Sequence, residues 1–162
     1  MAKEIERKFL VADESWRDQI ASRTPFRQGY IVSLQDRSVR VRIKGDDSAT
    51  LTIKIGTNSL VRDEYEYDIP VADAEELLTT ATGIIIEKIR HTVEHQGFIW
   101  EIDVFDGLYK GLVVAEVELK AETDQPDLPT WLGPEVTGDP RFSNQHLATD
   151  DLRAELSHVI PD

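Results

Sequence analysis

The protein is a chain of 162 residues with 31 acidic and 18 basic side chains, a formal net charge of -13 and no cysteine. The absence of cysteine excludes zinc–thiolate sites, iron–sulfur clusters and thiol nucleophiles. Because an acidic surface repels nucleic acid and anionic membranes, the composition also argues against both as partners, and the length is that of one domain, residues 1–162.

Most of the chain alternates polar and apolar residues, a period that is typical of β-strands. The alternating segments and one apolar-rich segment predict eight strands, at residues 4–11, 26–35, 38–44, 49–55, 60–69, 84–95, 98–105 and 112–121. Glycine-containing turns separate them, for example at residues 45–48, 56–59 and 95–97. Connections this short favour an antiparallel meander over parallel βαβ units.

Helices are predicted at only a few places. Residues 13–20 can form a short helix that Asp13 or Ser15 would cap. Residues 73–76 show a capping-box pattern, so a second helix is expected to begin there and to end near Gly83. The C-terminal third contains several prolines and is predicted to start as an irregular segment. Residues 144–148 and 150–158 are then predicted to be helical.

The predicted strands share one unusual feature, which is a charged face. Residues i and i+2 of a strand point to the same side, so charged residues at alternate positions line up. These faces hold equal numbers of acids and bases, namely Glu4, Glu6, Lys8, Arg40, Arg42, Lys54, Arg62, Glu64, Glu66, Lys88, Arg90, Glu101, Asp103, Glu116, Glu118 and Lys120. The opposite faces are rich in Val, Ile and Leu.

Two arrangements account for this pattern. In the first, the charged faces meet water and the apolar faces form an ordinary core, which is the usual meaning of an amphipathic strand. In the second, the sheet closes with its charged face inward, and helices and loops cover its apolar outside. The charge balance favours the second arrangement, because a solvated face would share the acidic excess of the chain and would contain more neutral polar residues.

A barrel filled with acids and bases is costly unless a charged ligand completes it. Arginine and lysine match phosphate oxygens, and paired carboxylates match Mg²⁺ or Mn²⁺. A polyphosphate with divalent cations would bring charges that nearly cancel. The residues by themselves therefore favour a site for a polyphosphate and metal ions inside a closed barrel.

The same residues carry a resemblance to a known family. Glu4-Ile5-Glu6-Arg7-Lys8 resembles the Glu-x-Glu-x-Lys signature of the triphosphate tunnel metalloenzymes, also called CYTH domains. Further segments resemble the family in the same order, at residues 39–42, 51–54, 62–66, 87–90, 100–103, 115–119 and 131–137. The resemblance covers almost the whole chain. It implies an α+β fold of mostly antiparallel β-structure, in which a closed eight-stranded β-barrel forms a charged tunnel, open at both ends, with few flanking helices. The helix predicted at residues 144–148 could plug one end of this tunnel.

The resemblance also implies hydrolysis of a triphosphate with Mg²⁺ or Mn²⁺ as cofactor. The implied metal ligands are Glu4, Glu6, Glu116 and Glu118. The implied phosphate-binding residues are Lys8, Arg40, Arg42, Lys54, Arg62, Lys88 and Arg90. Catalytic roles are expected for Glu4, Glu6, Lys8 and Lys88, and supporting roles for Glu64, Glu66, Glu101 and Asp103. Tyr30 and Tyr65 could reach the tunnel or its mouth, but an aromatic residue in a strand is more often a packing residue.

The resemblance to short bacterial members implies inorganic tripolyphosphate as substrate, with pyrophosphate and phosphate as products. Thiamine triphosphatase, adenylate cyclase and a non-catalytic polyphosphate-binding module stay open as alternatives. A cyclase needs an adenine site, which the sequence does not reveal, and the intact glutamate pairs count against a binding module. We expect a cytoplasmic protein, since no segment reaches the ~18 apolar residues of a membrane span and the N-terminus has no apolar leader. The acidic surface is compatible with a monomer or a homodimer.

Overall fold

The computed structural model describes residues 3–58 and 60–160, which fold mainly into antiparallel β-structure. Residues 1–2 of the charged N-terminus, Ser59 of the predicted turn 56–59, and residues 161–162 lie outside this description. The strands are β1 (Lys3–Val11), β2 (Ile20–Ser33), β3 (Arg37–Lys44), β4 (Ser48–Ile55), β5 (Val61–Ile69), β6 (Thr82–His95), β7 (Phe98–Phe105), β8 (Val113–Glu118) and β9 (Leu132–Glu135). The α-helices are α1 (Val71–Leu78) and α2 (Asn144–Thr149), and neither is long and apolar enough to cross a membrane.

The sheet closes into a barrel because its first and fifth strands pair with each other. The strands follow the order β5-β4-β3-β2-β6-β7-β8-β1-β9, and β1 also pairs with β5, with Glu4 opposite Arg62. All of these pairings are antiparallel. The predicted eight-stranded barrel is therefore confirmed, and β9 is an additional strand that pairs with the end of β1.

The N-terminal part of the chain differs from the prediction at one boundary. β2 begins at Ile20 rather than at Phe26, because its first residues pair with β6. The helix predicted over residues 13–20 is wrong, since only Ser15–Gln19 forms a short 3₁₀ helix. Its Trp16 side chain is buried in an apolar cluster outside the barrel. The buried Trp16 side chain therefore anchors this segment to the barrel, and a full α-helix is not formed.

The other differences concern short elements. α1 begins at Val71, before the capping-box residues 73–76, and it has no side-chain cap. β9 was not predicted, because four residues with a Gly-Pro pair carry no clear alternation. The helix predicted over residues 150–158 is wrong, since that segment is a series of turns. The helix predicted at residues 144–148 is confirmed as α2.

Apolar side chains cover the outside of the barrel, as the inverted arrangement requires. α1 places Ala74 and Leu78 against Val41 on one side. A second cluster contains Trp100 and Trp131, whose ring centroids are 5.9 Å apart in an edge-to-face arrangement. Burying a large apolar side chain contributes about 1.5–3 kcal/mol to folding, so these outer clusters supply much of the stability of the barrel.

The C-terminal segment fills one end of the barrel, and we call residues 140–156 the plug. Ile86, Phe105 and Val114 each lie two residues from a charged inward position of their strand, so they also point inward. They form a core with the buried plug residues Phe142, Leu147, Ala148, Leu152 and Leu156. The expectation of a tunnel open at both ends is therefore wrong at this end, where the inner face turns apolar and the plug covers it.

Gly83 forms the contact that brings the plug against β6. It lies in this strand and not at the end of α1, with φ of 77°, and a Cβ atom there would lie 2.1 Å from the carbonyl oxygen of Ala148. Gly83→Ala is expected to lower the free energy of unfolding by about 3 kcal/mol or more, measured by urea denaturation, from backbone strain and steric overlap together.

Gly97→Ala is the matched control for this variant. Gly97 has a similar φ of 82°, but apart from Gly97 and its two chain neighbours no described residue has an atom within 4 Å of the place where its Cβ atom would be, so only backbone strain of about 1 kcal/mol is expected. If the two variants lose equal stability, the contact between Gly83 and the plug does not contribute.

Candidate active site inside the barrel

A cavity of about 290 Å³ lies inside the barrel, next to the plug. Most of the predicted site residues line it, namely Glu4, Glu6, Lys8, Arg40, Arg42, Lys54, Arg62, Glu64, Glu66, Arg90, Glu101, Glu116 and Glu118. Lys88 and Asp103, which were also predicted, are not part of the lining, because both are buried behind it. The barrel therefore brings together nearly all of the residues that the alternating pattern of the sequence predicted.

Further residues of the lining are Tyr30, which was considered but not assigned to the site, and five that were not predicted, namely Ser38, Lys44, Ser143, Asn144 and Gln145. Ser38 and Lys44 continue the alternation of the two arginines of β3, so the sequence pattern could have identified them. Tyr30 packs against the plug and also reaches the cavity, so both of the roles considered for it are present. The three plug residues carry no signal in the sequence, because only the docking of the plug places them here.

Arg40 and Arg42 lie on β3 with exposed fractions of 5% each, and they have no carboxylate partner in residues 3–58 and 60–160. Arg42 Nε donates to Gln28 Oε1 at 2.7 Å, and its guanidinium lies over the Phe26 ring. Arg40 donates to Thr52 Oγ1 at 3.4 Å, whereas its buried Nε has no acceptor among the described residues.

Burial, together with the charges of Arg40 and Arg90, lowers the pKa of Arg42 to about 9. Two buried guanidinium groups that face the cavity without a carboxylate partner in residues 3–58 and 60–160 are incomplete electrostatically. An anionic ligand in the cavity would supply the missing partner.

Glu4 lies in a cluster of opposite charges. Lys54 Nζ is 2.9 Å from its carboxylate, and Arg62 Nη2 is 3.4 Å away, directly across the pairing between β1 and β5. Burial opposes its ionisation, but these two cations and a hydrogen bond with Glu64 hold the pKa of Glu4 below its ordinary value. Glu4 is therefore already neutralised by the chain.

Lys8 connects the cavity to the plug. Its Nζ lies 3.5 Å from Glu116 and donates a hydrogen bond to the carbonyl oxygen of Phe142 at 3.0 Å. Burial disfavours the charge on Glu116, whereas Lys8 and Arg90 favour it and hold the pKa of Glu116 below its ordinary value. Like Glu4, Glu116 already has cationic partners.

Arg90 is held by two carboxylates. It donates to Asp103 through Nε and Nη2, both at 2.8 Å, and to Glu101 through Nη1 at 3.0 Å. Lys88 Nζ lies 2.6 Å from Asp103, and neither side chain is more than 2% exposed. Lys88 and Asp103 therefore form a buried layer behind Arg90, and only Arg90 of the three reaches the cavity.

Glu6 and Glu118 lie opposite each other across β1 and β8, and neither forms an ion pair within the described part of the chain. Burial and the charges of Glu116 and Glu4 raise the pKa of Glu6 to about 8. Burial, with Glu4 and Glu101, also raises the pKa of Glu118. Like charges that face each other across strands repel, so a cation between these two carboxylates would relieve the repulsion.

Divalent metal ions fit the chemistry of this pair, because Mg²⁺ and Mn²⁺ prefer carboxylate oxygens. The four predicted metal ligands do not form a ready cluster. In residues 3–58 and 60–160, no three His, Asp or Glu side chains already lie close enough to hold a metal ion. Glu4 and Glu116 are engaged with lysines, which leaves Glu6 and Glu118 as the carboxylates available to a cation.

Known proteins resemble this chain along nearly its whole length. It is 45% identical over 154 residues to an inorganic triphosphatase from Acetivibrio thermocellus, covering 94% of this chain and 97% of that protein. It is 36% identical over 148 residues to an inorganic triphosphatase from Nitrosomonas europaea, covering 90% and 96%. A crystal structure of an inorganic triphosphatase matches with a TM-score of 0.66 and 35% identity, covering 93% of this chain and 97% of that one. Residues 2–144 match the CYTH domain, and the chain belongs to the CYTH domain family.

Proposed function

We propose that this chain is a triphosphatase that hydrolyses inorganic tripolyphosphate to pyrophosphate and phosphate, with Mg²⁺ or Mn²⁺ as cofactor. The observation that carries the proposal is the pair of buried arginines, Arg40 and Arg42, which face the cavity without a carboxylate partner among the described residues. Guanidinium groups bind phosphate oxygens through paired hydrogen bonds. The relatives named inorganic triphosphatase support the same class of substrate.

The chain binds and orients the substrate mainly by charge. Arg40 and Arg42 hold phosphate oxygens on one side of the cavity, and Lys8, Lys54 and Arg62 exchange part of their contact with carboxylates for contact with phosphate. Arg90 keeps its carboxylates and contributes a fixed positive charge. Such fixed charges stabilise a transition state in which negative charge spreads over the oxygens of the transferred group.

The carboxylates have a separate role. Glu6 and Glu118 are proposed to hold the divalent cation, and Glu4 and Glu116 lie beside them and contribute if their lysines turn to the phosphates. A divalent cation held by Glu6 and Glu118 would supply charge neutralisation to the phosphates and would make a nearby water a stronger nucleophile. In the reaction, a water molecule gives a proton to a cavity carboxylate such as Glu6 or to solvent, and its oxygen forms a bond to a terminal phosphorus. The bridging P–O bond breaks, and pyrophosphate leaves with the bridging oxygen.

Lys88 and Asp103 are assigned a different role from the one expected. Since both lie behind the cavity lining, we propose that they position Arg90 and do not contact the substrate. Glu101, Glu64 and Glu66 stay in supporting roles at the cavity wall. The cytoplasmic location, the state of monomer or homodimer, and the absence of nucleic acid and membrane partners stay predictions.

The test is phosphate release from inorganic tripolyphosphate, ATP and thiamine triphosphate, each with Mg²⁺, Mn²⁺ or EDTA. We expect release that needs the metal and is fastest from inorganic tripolyphosphate. Faster release from ATP or thiamine triphosphate would move the substrate to an organic triphosphate. If no phosphate is released while tripolyphosphate still raises the melting temperature, the chain is a binding module or an adenylate cyclase, and the proposal fails.

A further inference from the structure

Asn144 links the plug to the charged groups around the cavity. It is the first residue of α2, and it lines the cavity. Its side-chain oxygen accepts a hydrogen bond from Lys88 Nζ at 3.0 Å and another from Gln28 Nε2 at 3.3 Å. Gln28 is fully buried, and its own oxygen accepts from Arg42 Nε. A chain of hydrogen bonds therefore runs from Arg42 through Gln28 to Asn144.

The cations in this chain fix the orientation of both amide groups. Lysine and arginine nitrogens can only donate, so the oxygen of Asn144 must face Lys88 and the oxygen of Gln28 must face Arg42. The amide nitrogen of Gln28 then meets the same Asn144 oxygen that Lys88 requires. Two independent constraints thus agree on which atom of Asn144 is the oxygen.

The other end of the Asn144 side chain is its Nδ2 group, which carries two N–H donors. Nδ2 makes no hydrogen bond to the part of the chain that the structure describes, whereas the oxygen makes two. Because the residue belongs to the cavity wall, these donors are available to a ligand in the cavity. A phosphate oxygen is an acceptor that could use them.

We propose that Asn144 is a substrate-binding residue, whose Nδ2 group donates to a phosphate oxygen at the plug end of the cavity. This inference rests on the proposed function, since a polyphosphate supplies the acceptor. Gln28 and Lys88 are then positioning residues, because they hold the amide without touching the substrate. The plug contributes to binding as well as to closure of the barrel.

The contacts of Lys8 support this view of the plug. Lys8 Nζ donates to the carbonyl oxygen of Phe142, and Lys88 Nζ donates to Asn144 two residues later. The start of the plug is therefore held by one lysine that lines the cavity and one that lies behind it. This double attachment fixes the position of the Asn144 side chain relative to the strands that carry the arginines.

The test compares Asn144→Asp with Asn144→Ala in the hydrolysis of inorganic tripolyphosphate with Mn²⁺. Aspartate keeps the size of the side chain and both acceptor interactions, but it replaces the donor with a negative charge. We expect KM to rise about tenfold for Asn144→Ala and about 100-fold for Asn144→Asp, with a smaller fall in kcat. Gln125→Glu makes the same exchange of an amide for a carboxylate at an exposed position outside the plug and the cavity lining, and it is expected to leave both constants unchanged.

If Asn144 had a purely structural role, KM would rise more for Asn144→Ala than for Asn144→Asp, because the aspartate would still accept hydrogen bonds from Lys88 and Gln28. That order, or an unchanged KM in both variants, would overturn the proposal. If Asn144→Ala does not fold, the same conclusion follows from Asn144→Asp alone, since a KM equal to that of the wild type overturns the proposal and a large rise supports it.

Failure of the proposed function would be distinguishable from failure of this inference. If the wild type releases no phosphate from tripolyphosphate, the dissociation constant of tripolyphosphate is measured by calorimetry for the same variants. Weaker binding in the order wild type, Asn144→Ala, Asn144→Asp supports the inference even then. Equal affinities, the reverse order, or no binding to the wild type overturn it.

Discussion

Asp103→Asn is expected to lower the free energy of unfolding by about 3–5 kcal/mol, because it leaves buried cations without their counter-charge. Asp103 is 2% exposed, and it contacts Lys88 at 2.6 Å and Arg90 at 2.8 Å. Asparagine keeps the shape of the side chain, so the loss does not include a cavity. In a chain of this length the melting temperature should fall by roughly 10 °C or more, measured by circular dichroism and urea denaturation.

Glu101→Gln is the control for this prediction, because it removes a carboxylate from the same arginine at a more exposed position. Glu101 contacts Arg90 at 3.0 Å, but its side chain is 34% exposed. Exposed ion pairs contribute about 0–1 kcal/mol, so a change of that size is expected. Equal losses for the two variants would show that burial of Asp103 does not matter.

The dependence on pH provides a second readout for Asp103. Burial opposes its ionisation, but Arg90 and Lys88 hold the pKa of Asp103 below its ordinary value. A carboxyl whose pKa is lowered by folding stabilises the protein above its unfolded-state pKa, and this stabilisation is lost as the pH falls. The difference between wild type and Asp103→Asn should therefore be full near neutral pH and shrink below about pH 4.

The inner face of the barrel could be predicted from the sequence because residues i and i+2 of a strand always lie on the same face. Once Arg40 and Arg42 are known to be on the same face, the period of two carries over to the strands beside them. What the period cannot tell is how far along a strand the cavity extends. Lys88 and Arg90 look equivalent in the sequence, but only Arg90 reaches the cavity. The limit is set by the plug, whose position depends on tertiary packing.

Strand register decides whether each carboxylate lies opposite a cation or opposite another carboxylate, and the sequence does not give the register. Glu4 and Glu6 belong to one motif, and the resemblance assigned both to metal. In the barrel Glu4 lies opposite Arg62, whereas Glu6 lies opposite Glu118. One glutamate is thereby neutralised by the chain, and the other is left facing a like charge. Asn144 was missed for a different reason, because it reaches the cavity from a helix, where the alternation of a strand does not apply.

Glu6→Gln is expected to reduce metal-dependent phosphate release from tripolyphosphate by at least about 100-fold while the fold is retained. Glutamine has the shape of glutamate but is a much weaker ligand for a divalent cation. Because Glu6 faces Glu118 and has no cationic partner in residues 3–58 and 60–160, its charge is not needed for folding. The melting temperature in EDTA should match or exceed that of the wild type.

Glu94→Gln is the matched control, since Glu94 is exposed on β6 and outside the cavity lining. The same chemical change there should leave the rate within about twofold of the wild type. A wild-type rate in Glu6→Gln would show that this carboxylate neither holds the metal nor acts on the water.

A metal titration separates those two roles of Glu6. If the carboxylate holds the cation, Mn²⁺ should raise the melting temperature of Glu6→Gln less than that of the wild type, and higher Mn²⁺ should restore part of the activity. If it acts on the water alone, both proteins should show the same Mn²⁺-dependent rise, and added metal should restore nothing. A variant that is more stable without metal and inactive with it would mean that the burial of Glu6 beside Glu116 and Glu4 is kept for function, at a cost in stability.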